Sequence, residues 1–431
     1  MGLGLLGRGL GDARFLAEQG ANVLVTDLKS EDELKESVEQ LKDFSNVSFV
    51  LGRHREIDFT DTDMVIKAAG VPLDSPYIEV ARKSGVLVYM STALFASLTP
   101  STVVGVTGTR GKSTVTHLIS HILEKSGRQV FLGGNVRGVS TLGHLSSVTS
   151  EEISVLELDS WQLQGFADIH LSPSYAGFTT FFPDHLNYYK GDIDRYLDDK
   201  ANIFRYQKNG DVLVVGDQAY EKLKDKYREY LNEETFVTRA EDLPNDWTLK
   251  ILGKHNRYNA TIAVRLAESL GVSREDIKSA LETFTGVSGR LEYCGKYSNR
   301  EVYNDNSSTT PEATVVALDA LKEKGNIFLI LGGQDKNLKT DKLVKSIEDY
   351  VQKVYLLPGS GSDNLMSHLK SSKINRISDI SEALKRSFFE SSEGDTVLFS
   401  PGFSSFFQFD NEYHREKIFL ENLDSYKDTN I

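Results

Sequence analysis

The chain has 431 residues, 39% hydrophobic and 26% charged, enough for several packed domains and against wholesale disorder. A net charge of −13 with no basic cluster argues against sequence-independent binding to nucleic acid, although a local site rich in backbone N–H groups can still hold an anion. The single cysteine, Cys294, permits no intrachain disulfide and suits a reducing cytoplasm; no apolar run approaches the ~20 residues of a membrane helix, and no signal peptide is visible.

GLGLLG (2–7) opens the chain, followed by the helical GDARFLAEQG and by NVLVTD (22–27), a strand ending in an acid. The glycines satisfy G-x-G-x-x-G, and Asp27 stands about 20 residues beyond Gly7, where a ribose-binding acid belongs. Glycines let backbone approach a pyrophosphate whose charge rests on a helix N-terminus, so Gly4, Leu5, Leu6 and Gly7 point to a diphosphate-linked ligand more firmly than to NAD. Further strands are expected at VSFVLG (47–52) and at DMVIKAAG (63–70), which ends on Gly70, giving a small, mostly parallel doubly wound sheet. Such a glycine loop ordinarily follows a buried strand, so a first strand is expected upstream of Met1.

A second series starts at TVVGVT (102–107) and continues with the helix KSTVTHLISHILEKSG, the strand ISVLEL (153–158) and the aromatic-rich AGFTTFFPDHLNYY. DVLVVG (211–216) and the helix NATIAVRLAESLG (259–271) complete it. A third contains EVYND (301–305), NIFLILGG (326–333), KVYLLPGSGS (353–362) and DTVLFSPG (395–402), with helices between. Short strands alternating with helices predict parallel sheets with crossover helices. The expectation is three consecutive α/β domains: residues 1–97 Rossmann-like, 98–287 P-loop ATPase-like and 288–431 Rossmann-like.

GVTGTRGKST (105–114) has the makings of a phosphate loop, but Val106 stands where the Walker pattern requires glycine. A strand, a tight loop of Gly108, Thr109, Arg110 and Gly111, and then a helix beginning with Lys112, Ser113 and Thr114 still meet the physical requirement. Backbone N–H groups and Lys112 would neutralise phosphate oxygens, and Ser113 or Thr114 could ligate Mg²⁺. The shorter form TG-x-x-GK[ST] resembles the loop of the Mur and folylpolyglutamate ligases.

The resemblance runs in order along essentially the whole chain. LELDSWQLQ (156–164) is similar to the family's LELSSFQLE, which implies Glu157 as a Mg²⁺ ligand, with Asp159 replacing a serine in the site wall and Trp161 a core residue. PDHLNYYKGDIDRYLDDKANIF (183–204) resembles the segment that supplies a metal-binding histidine, here His185, and a lysine that becomes carbamylated, here Lys200. An ammonium has no lone pair, so only the carbamate could bind metal; taken alone, Lys200 beside Asp198 and Asp199 reads as an exposed helix charge. GKHNRYNATIAV resembles a helix that places Asn256 and Asn259 near the nucleotide, and GGNVRG (133–138) implies Asn135 at a UDP-sugar. Arg290 and Asp305 match residues that close on ATP. LGGQDKN and SPGFSSFFQF imply Lys336 and Ser405 at the incoming amino acid.

What the resemblance implies is an ATP-dependent amide ligase with two Mg²⁺ ions and a carbamylated Lys200, catalysis resting on Lys112, Lys200, His185 and Arg290. It would be a cytoplasmic monomer that adds D-glutamate to UDP-N-acetylmuramoyl-L-alanine through an acyl phosphate, in peptidoglycan precursor synthesis. Ser307, Gly289 and Phe407 depart from the family pattern on substrate-closing elements, which leaves L-glutamate as the alternative acceptor. An NAD-dependent oxidoreductase would use GLGLLG and Asp27 but give TGTRGKS, Glu157, His185 and Lys200 no purpose. A non-catalytic phosphate-loop switch would leave Lys200 and the amino-acid loops unexplained.

Overall fold

In the computed structural model, which describes residues 1–5, 7–72, 74–136 and 138–427, the β-rich runs become sixteen strands. β1 (Val23–Asp27) pairs in parallel with β2 (Val47–Leu51), and β3 (Met64–Lys67) with β4 (Leu87–Met90). The one small sheet expected here is thus two separate pairs. Met1 and Gly2 lie between them: Gly2 N donates to Thr26 O at 2.9 Å, and Ala68 N donates to Met1 O at 3.0 Å. Two residues bridge the pairs but are too few for a ladder.

The central sheet comprises β5 (Thr102–Thr107), β6 (Val130–Gly134), β7 (Ile153–Glu157), β8 (Tyr175–Phe178), β9 (Val212–Gly216) and β10 (Thr235–Thr238). Its order is β10-β9-β8-β5-β7-β6, and every pairing is parallel. Every residue of β7 and β9 is buried, as expected of strands covered on both faces. Later strands add on either side of β5, so a topological switch falls at its carboxyl end, where ligands of open α/β sheets bind. The helix Lys112–Lys125 leaves that end and buries Val115, Leu118, Ile119, Ile122 and Leu123, an apolar stripe at helical spacing.

The last sheet contains β11 (Glu292–Tyr297), β12 (Arg300–Asn304), β13 (Ile327–Gly332), β14 (Val351–Leu357), β15 (Ile374–Arg376) and β16 (Thr396–Phe399), in the order β11-β12-β16-β13-β14-β15. It is mixed, not purely parallel as expected: β11 runs antiparallel to β12. Ser298 (φ 48°) and Asn299 (φ 60°) make the two-residue hairpin turn that reverses the chain.

The chain divides into two compact units, Met1–Asn245 with Tyr258–Ala280, and Asp246–Arg257 with Leu281–Ile431. The division passes through the helix Lys254–Ser269. In the first unit, Met90, Ala93 and Phe95 join the same core as Leu156, Phe178 and Tyr196. Among the described residues no helix is long and apolar enough to cross a membrane.

Candidate active site

The first unit builds the candidate phosphate loop, Gly108–Gly111, from the buried end of β5. Gly108 has φ 140°, and a Cβ there would lie 2.0 Å from Thr179 Oγ1 and 2.9 Å from Thr180 N, so only glycine fits. Gly111 (φ 88°) caps the helix Lys112–Lys125 and offers no side-chain cap, so no cap side chain takes up the first-turn N–H groups, a feature of helix ends that can receive an anion. An added Cβ on Gly111 would stand 2.4 Å from Asn259 Oδ1, so Asn259 lies against this loop.

The chain after β8 holds the loop in shape. Thr109 N donates to Thr180 O at 2.7 Å, Arg110 N to Thr180 Oγ1 at 3.0 Å, and Thr180 Oγ1 to Arg110 O at 3.1 Å. Thr109 Oγ1 donates to Phe182 O at 3.1 Å and lies 3.3 Å from Tyr196 Oη. Thr179, Thr180 and Tyr196 were not singled out from the sequence; a threonine pair at the end of a buried strand was the available signal.

Two amines converge on this backbone. Lys112 Nζ donates to Gly108 O at 3.0 Å, and Lys200 Nζ donates to the same oxygen at 2.9 Å. Lys200 is 1% exposed, not the solvated helix charge its neighbours suggest. Burial above all, and then the charge of Lys112, hold its amine well below the ordinary lysine range, opposed by Asp159, Asp184 and Glu157. The flanking acids are occupied: Asp199 accepts from Tyr189 Oη at 2.9 Å and Gln164 Nε2 at 2.7 Å, and Asp198 from Tyr227 Oη.

His185 adopts φ 52° directly after Asp184, with its ring centroid 5.1 Å from that of Trp161 and 6.0 Å from that of Tyr196. Burial lowers its pKa against the pull of Asp184, with Lys200 and Lys112 adding to the depression, which favours the neutral imidazole a metal requires. Glu157, at the end of β7, and Ser113, in the first turn, are both buried. Among the described residues no three His, Cys, Asp or Glu side chains form a metal-holding group. A divalent ion here would need a mixed set, with the Ser113 hydroxyl and a modified Lys200 beside Glu157 and His185. Asp159 has a local task as well: it caps the helix Ser160–Asp168 in a reciprocal pair with Gln162.

Around the first glycine loop, Asp27 accepts from Gly4 N at 3.0 Å and from Lys29 N at 2.9 Å, so this acid fixes the loop to the end of β1. Gly7 caps the helix Arg8–Glu18 with φ 81°, and Leu5 is exposed. Leu6 lies outside the described residues. Gly70 sits in an exposed turn after β3, where the buried Lys67 donates from Nζ to Val71 O at 2.7 Å. Asn135 reaches back to the metal candidates: its Nδ2 donates to Glu157 Oε1 at 3.4 Å. Thr114, in the first turn of its helix, is half-buried.

In the second unit Asp305 is buried, accepting from Ser400 Oγ at 2.7 Å and Leu291 N at 3.0 Å. Burial raises its pKa to about 6, opposed by Ser308, Ser400, the Leu291 amide and Arg290. The loops of Lys336 and Ser405 are brought together: Gln334 N donates to Ser404 O at 3.0 Å, and Ser404 N to Gln334 O at 3.1 Å. Ser405 is buried, whereas Lys336 and Arg290 are exposed. Asn256 Nδ2 donates to Leu252 O at 2.7 Å. Of the departures from the family pattern, Ser307 N donates to Gly289 O at 2.8 Å, and Phe407 is exposed. Arg415, missed in the sequence because its helix reads as charged and solvated, is buried, donating to Asn306 Oδ1 at 2.8 Å and Phe403 O at 3.1 Å.

Three family models match the chain: the Mur ligase MurD-like N-terminal domain over residues 1–90, the Mur ligase middle domain over 106–242, and the Mur ligase glutamate ligase domain over 289–403. A UDP-N-acetylmuramoylalanine–D-glutamate ligase of Roseiflexus sp. is 33% identical, covering 99% of this chain and 98% of its own. The protein of that name from Borreliella burgdorferi is 35% identical over 96% of this chain and 94% of its own. Among solved structures, UDP-N-acetylmuramate–alanine ligase from Thermotoga maritima superposes with a TM-score of 0.63 at 20% identity, covering 98% of both chains. A MurF ligase from Thermotoga maritima in complex with ADP gives 0.60 at 19% identity, covering 94% of this chain and 95% of that one.

Proposed function

This chain belongs to the Mur ligase family, and we propose that it joins D-glutamate to UDP-N-acetylmuramoyl-L-alanine with cleavage of ATP, in peptidoglycan precursor synthesis. The observation that carries the reading is the Lys200 amine, 1% exposed and 2.9 Å from the carbonyl of Gly108 in the phosphate loop. A lysine buried there, where burial opposes the charged amine, is suited to react with CO₂ and become an anionic ligand. Residues 1–97 are assigned to the sugar nucleotide, 98–287 to ATP and 288–431 to the amino acid. A monomer in the cytoplasm goes with this assignment.

A carboxylate resists nucleophilic attack because of its charge. Phosphoryl transfer from ATP to the alanyl carboxylate would give an acyl phosphate, which the glutamate amine attacks with loss of phosphate. The loop Gly108–Gly111 and the helix N-terminus would bind the phosphates, and Lys112, whose Nζ donates to Gly108 O of that loop, would offset charge on the transferring group. Ser113, Glu157, His185 and carbamylated Lys200 would hold two Mg²⁺ ions, which supply further charge stabilisation when bound. The glycine loop Gly4–Gly7, Asp27, Gly70 and Asn135 anchor the nucleotide end, so that remote binding orients the reacting carboxylate. Asn256, Asn259, Arg290 and Asp305 are assigned to ATP, and Lys336 and Ser405 to the glutamate carboxylates.

The test is phosphate release from ATP with UDP-N-acetylmuramoyl-L-alanine and Mg²⁺, supplying D- or L-glutamate in separate tubes. Release with D-glutamate and a product of the glutamyl-adduct mass are expected. Release with L-glutamate alone, or with neither isomer, would refute the assignment.

A further inference from the structure

Arg8 is the first residue of the helix Arg8–Glu18, directly after the glycine loop. It is half-buried, and its Nη1 donates to Asn135 Oδ1 at 3.0 Å, across 127 positions of sequence. Asn135 in turn grips Glu157 twice, N to O at 2.7 Å and Nδ2 to Oε1 at 3.4 Å. The neighbouring turns are in register with this chain of bonds: a Cβ on Gly7 would lie 3.7 Å from Gly138 Cα, and Ser140 Oγ donates to Asp12 Oδ1 at 2.7 Å.

A guanidinium has only donors. The Asn135 amide is held at both ends, Oδ1 accepting from Arg8 and the NH₂ donating to Glu157, so the two partners favour one orientation. Without Arg8 the amide loses its shorter, charge-assisted bond and keeps only the 3.4 Å bond to Glu157, so the carboxylate is held less rigidly. The side chain that anchors Oδ1 also stands in the first turn of the helix behind the glycine loop, where an anionic diphosphate is favoured. Of its five N–H donors, Asn135 takes one.

We propose that Arg8 is a positioning residue that couples two sites: it binds the diphosphate of the sugar nucleotide and, through Asn135, orients the Glu157 carboxylate toward a divalent ion. The inference rests on the sugar-nucleotide ligase reading above. A basic side chain at this place is not implied by the glycine fingerprint, which asks only for backbone.

The test uses the full chain, Arg8→Met, Arg8→Lys, Asn135→Ala and the double variant Arg8→Met/Asn135→Ala, with folding checked by circular dichroism. Calorimetry without ATP measures affinity for UDP-N-acetylmuramoyl-L-alanine, and electron paramagnetic resonance measures Mn²⁺ binding in the presence of a non-hydrolysable ATP analogue. A lost charge-assisted hydrogen bond predicts roughly tenfold or greater weakening of the sugar nucleotide in Arg8→Met. Mn²⁺ should also bind several-fold more weakly, the double variant being no worse for Mn²⁺ than Asn135→Ala alone. Arg8→Lys should recover part of the nucleotide affinity and little of the Mn²⁺ affinity. Mn²⁺ binding within twofold of wild type in Arg8→Met, or fully additive losses in the double variant, would overturn the coupling while leaving the ligase reading intact. Failure of the wild-type chain to bind the sugar nucleotide would remove both.

Discussion

Replacing Lys67 with methionine removes a buried charge from the region assigned to the sugar nucleotide. The ammonium at the end of β3 is 1% exposed, and burial lowers its pKa from 10.5 to about 8, opposed by Asp168. Between those two values the unfolded chain binds a proton that the native chain does not, so this lysine makes stability rise with pH. The full difference is about 3 kcal/mol, at roughly 1.4 kcal/mol per pKa unit, and about 2 kcal/mol of it falls between pH 7 and 9.5. That is an upper bound, because Val71 O at 2.7 Å and Ala68 O at 3.4 Å favour the charged form. Urea unfolding of wild type and Lys67→Met at pH 7 and 9.5 reads the effect directly. The wild type should gain on the variant as pH rises. A stability difference that does not change with pH would refute the reasoning, as would one that changes in the opposite direction. The variant should also weaken sugar-nucleotide binding, since the turn from Ala68 to Val71 that includes Gly70 loses its tether.

Gly108→Ala forces a Cβ to within 2.9 Å of the Thr180 amide nitrogen, a backbone contact that cannot give way. Affinity for an ATP analogue should fall at least tenfold in equilibrium dialysis, with a stability loss of about 1–2 kcal/mol from the clash and the disfavoured backbone. Lys200→Met should lower turnover at least a hundredfold while leaving the melting temperature unchanged or raised at pH 7, because a costly buried amine is removed; wild type assayed in CO₂-depleted buffer should lose activity that bicarbonate restores. For Asp305, with its pKa raised to about 6, stability and turnover should move oppositely. Its protonated form is the one the fold favours, so its contribution to stability grows as pH falls from about 6 toward 4, while turnover declines over the same range. Asp305→Asn should abolish that dependence of stability, as read by thermal melts at pH 4.5 and 7.

The strand–loop–helix at 102–125 was legible because each part is specified locally: an apolar run, glycines at left-handed backbone, and an amphipathic helix. The strands of the central sheet at 153–157 and 212–216 follow from short, mostly apolar β-rich runs, as expected of parallel strands buried on both faces. The hairpin at 292–304 was missed because its turn uses Ser298 and Asn299 where glycine is the usual signal. The split of the first sheet was missed because it depends on which strands meet across Met1 and Gly2. Lys200 read locally as solvated and was recovered only by resemblance, since burial of a helix charge is decided by what packs over it.

By itself, the sequence determined the order of elements, the glycine-bearing loops and the presence of phosphate-binding chemistry, all of which follow from short-range backbone preference and hydrophobic periodicity. The tertiary structure decided which polar side chains lose their water. It placed Lys200 against the carbonyl of Gly108, joined Asn135 to both Arg8 and Glu157, and buried Asp305 and Arg415. Those contacts link positions tens to more than a hundred residues apart, and the desolvation that sets their charge states has no local signal, because it depends on the three-dimensional density of neighbours.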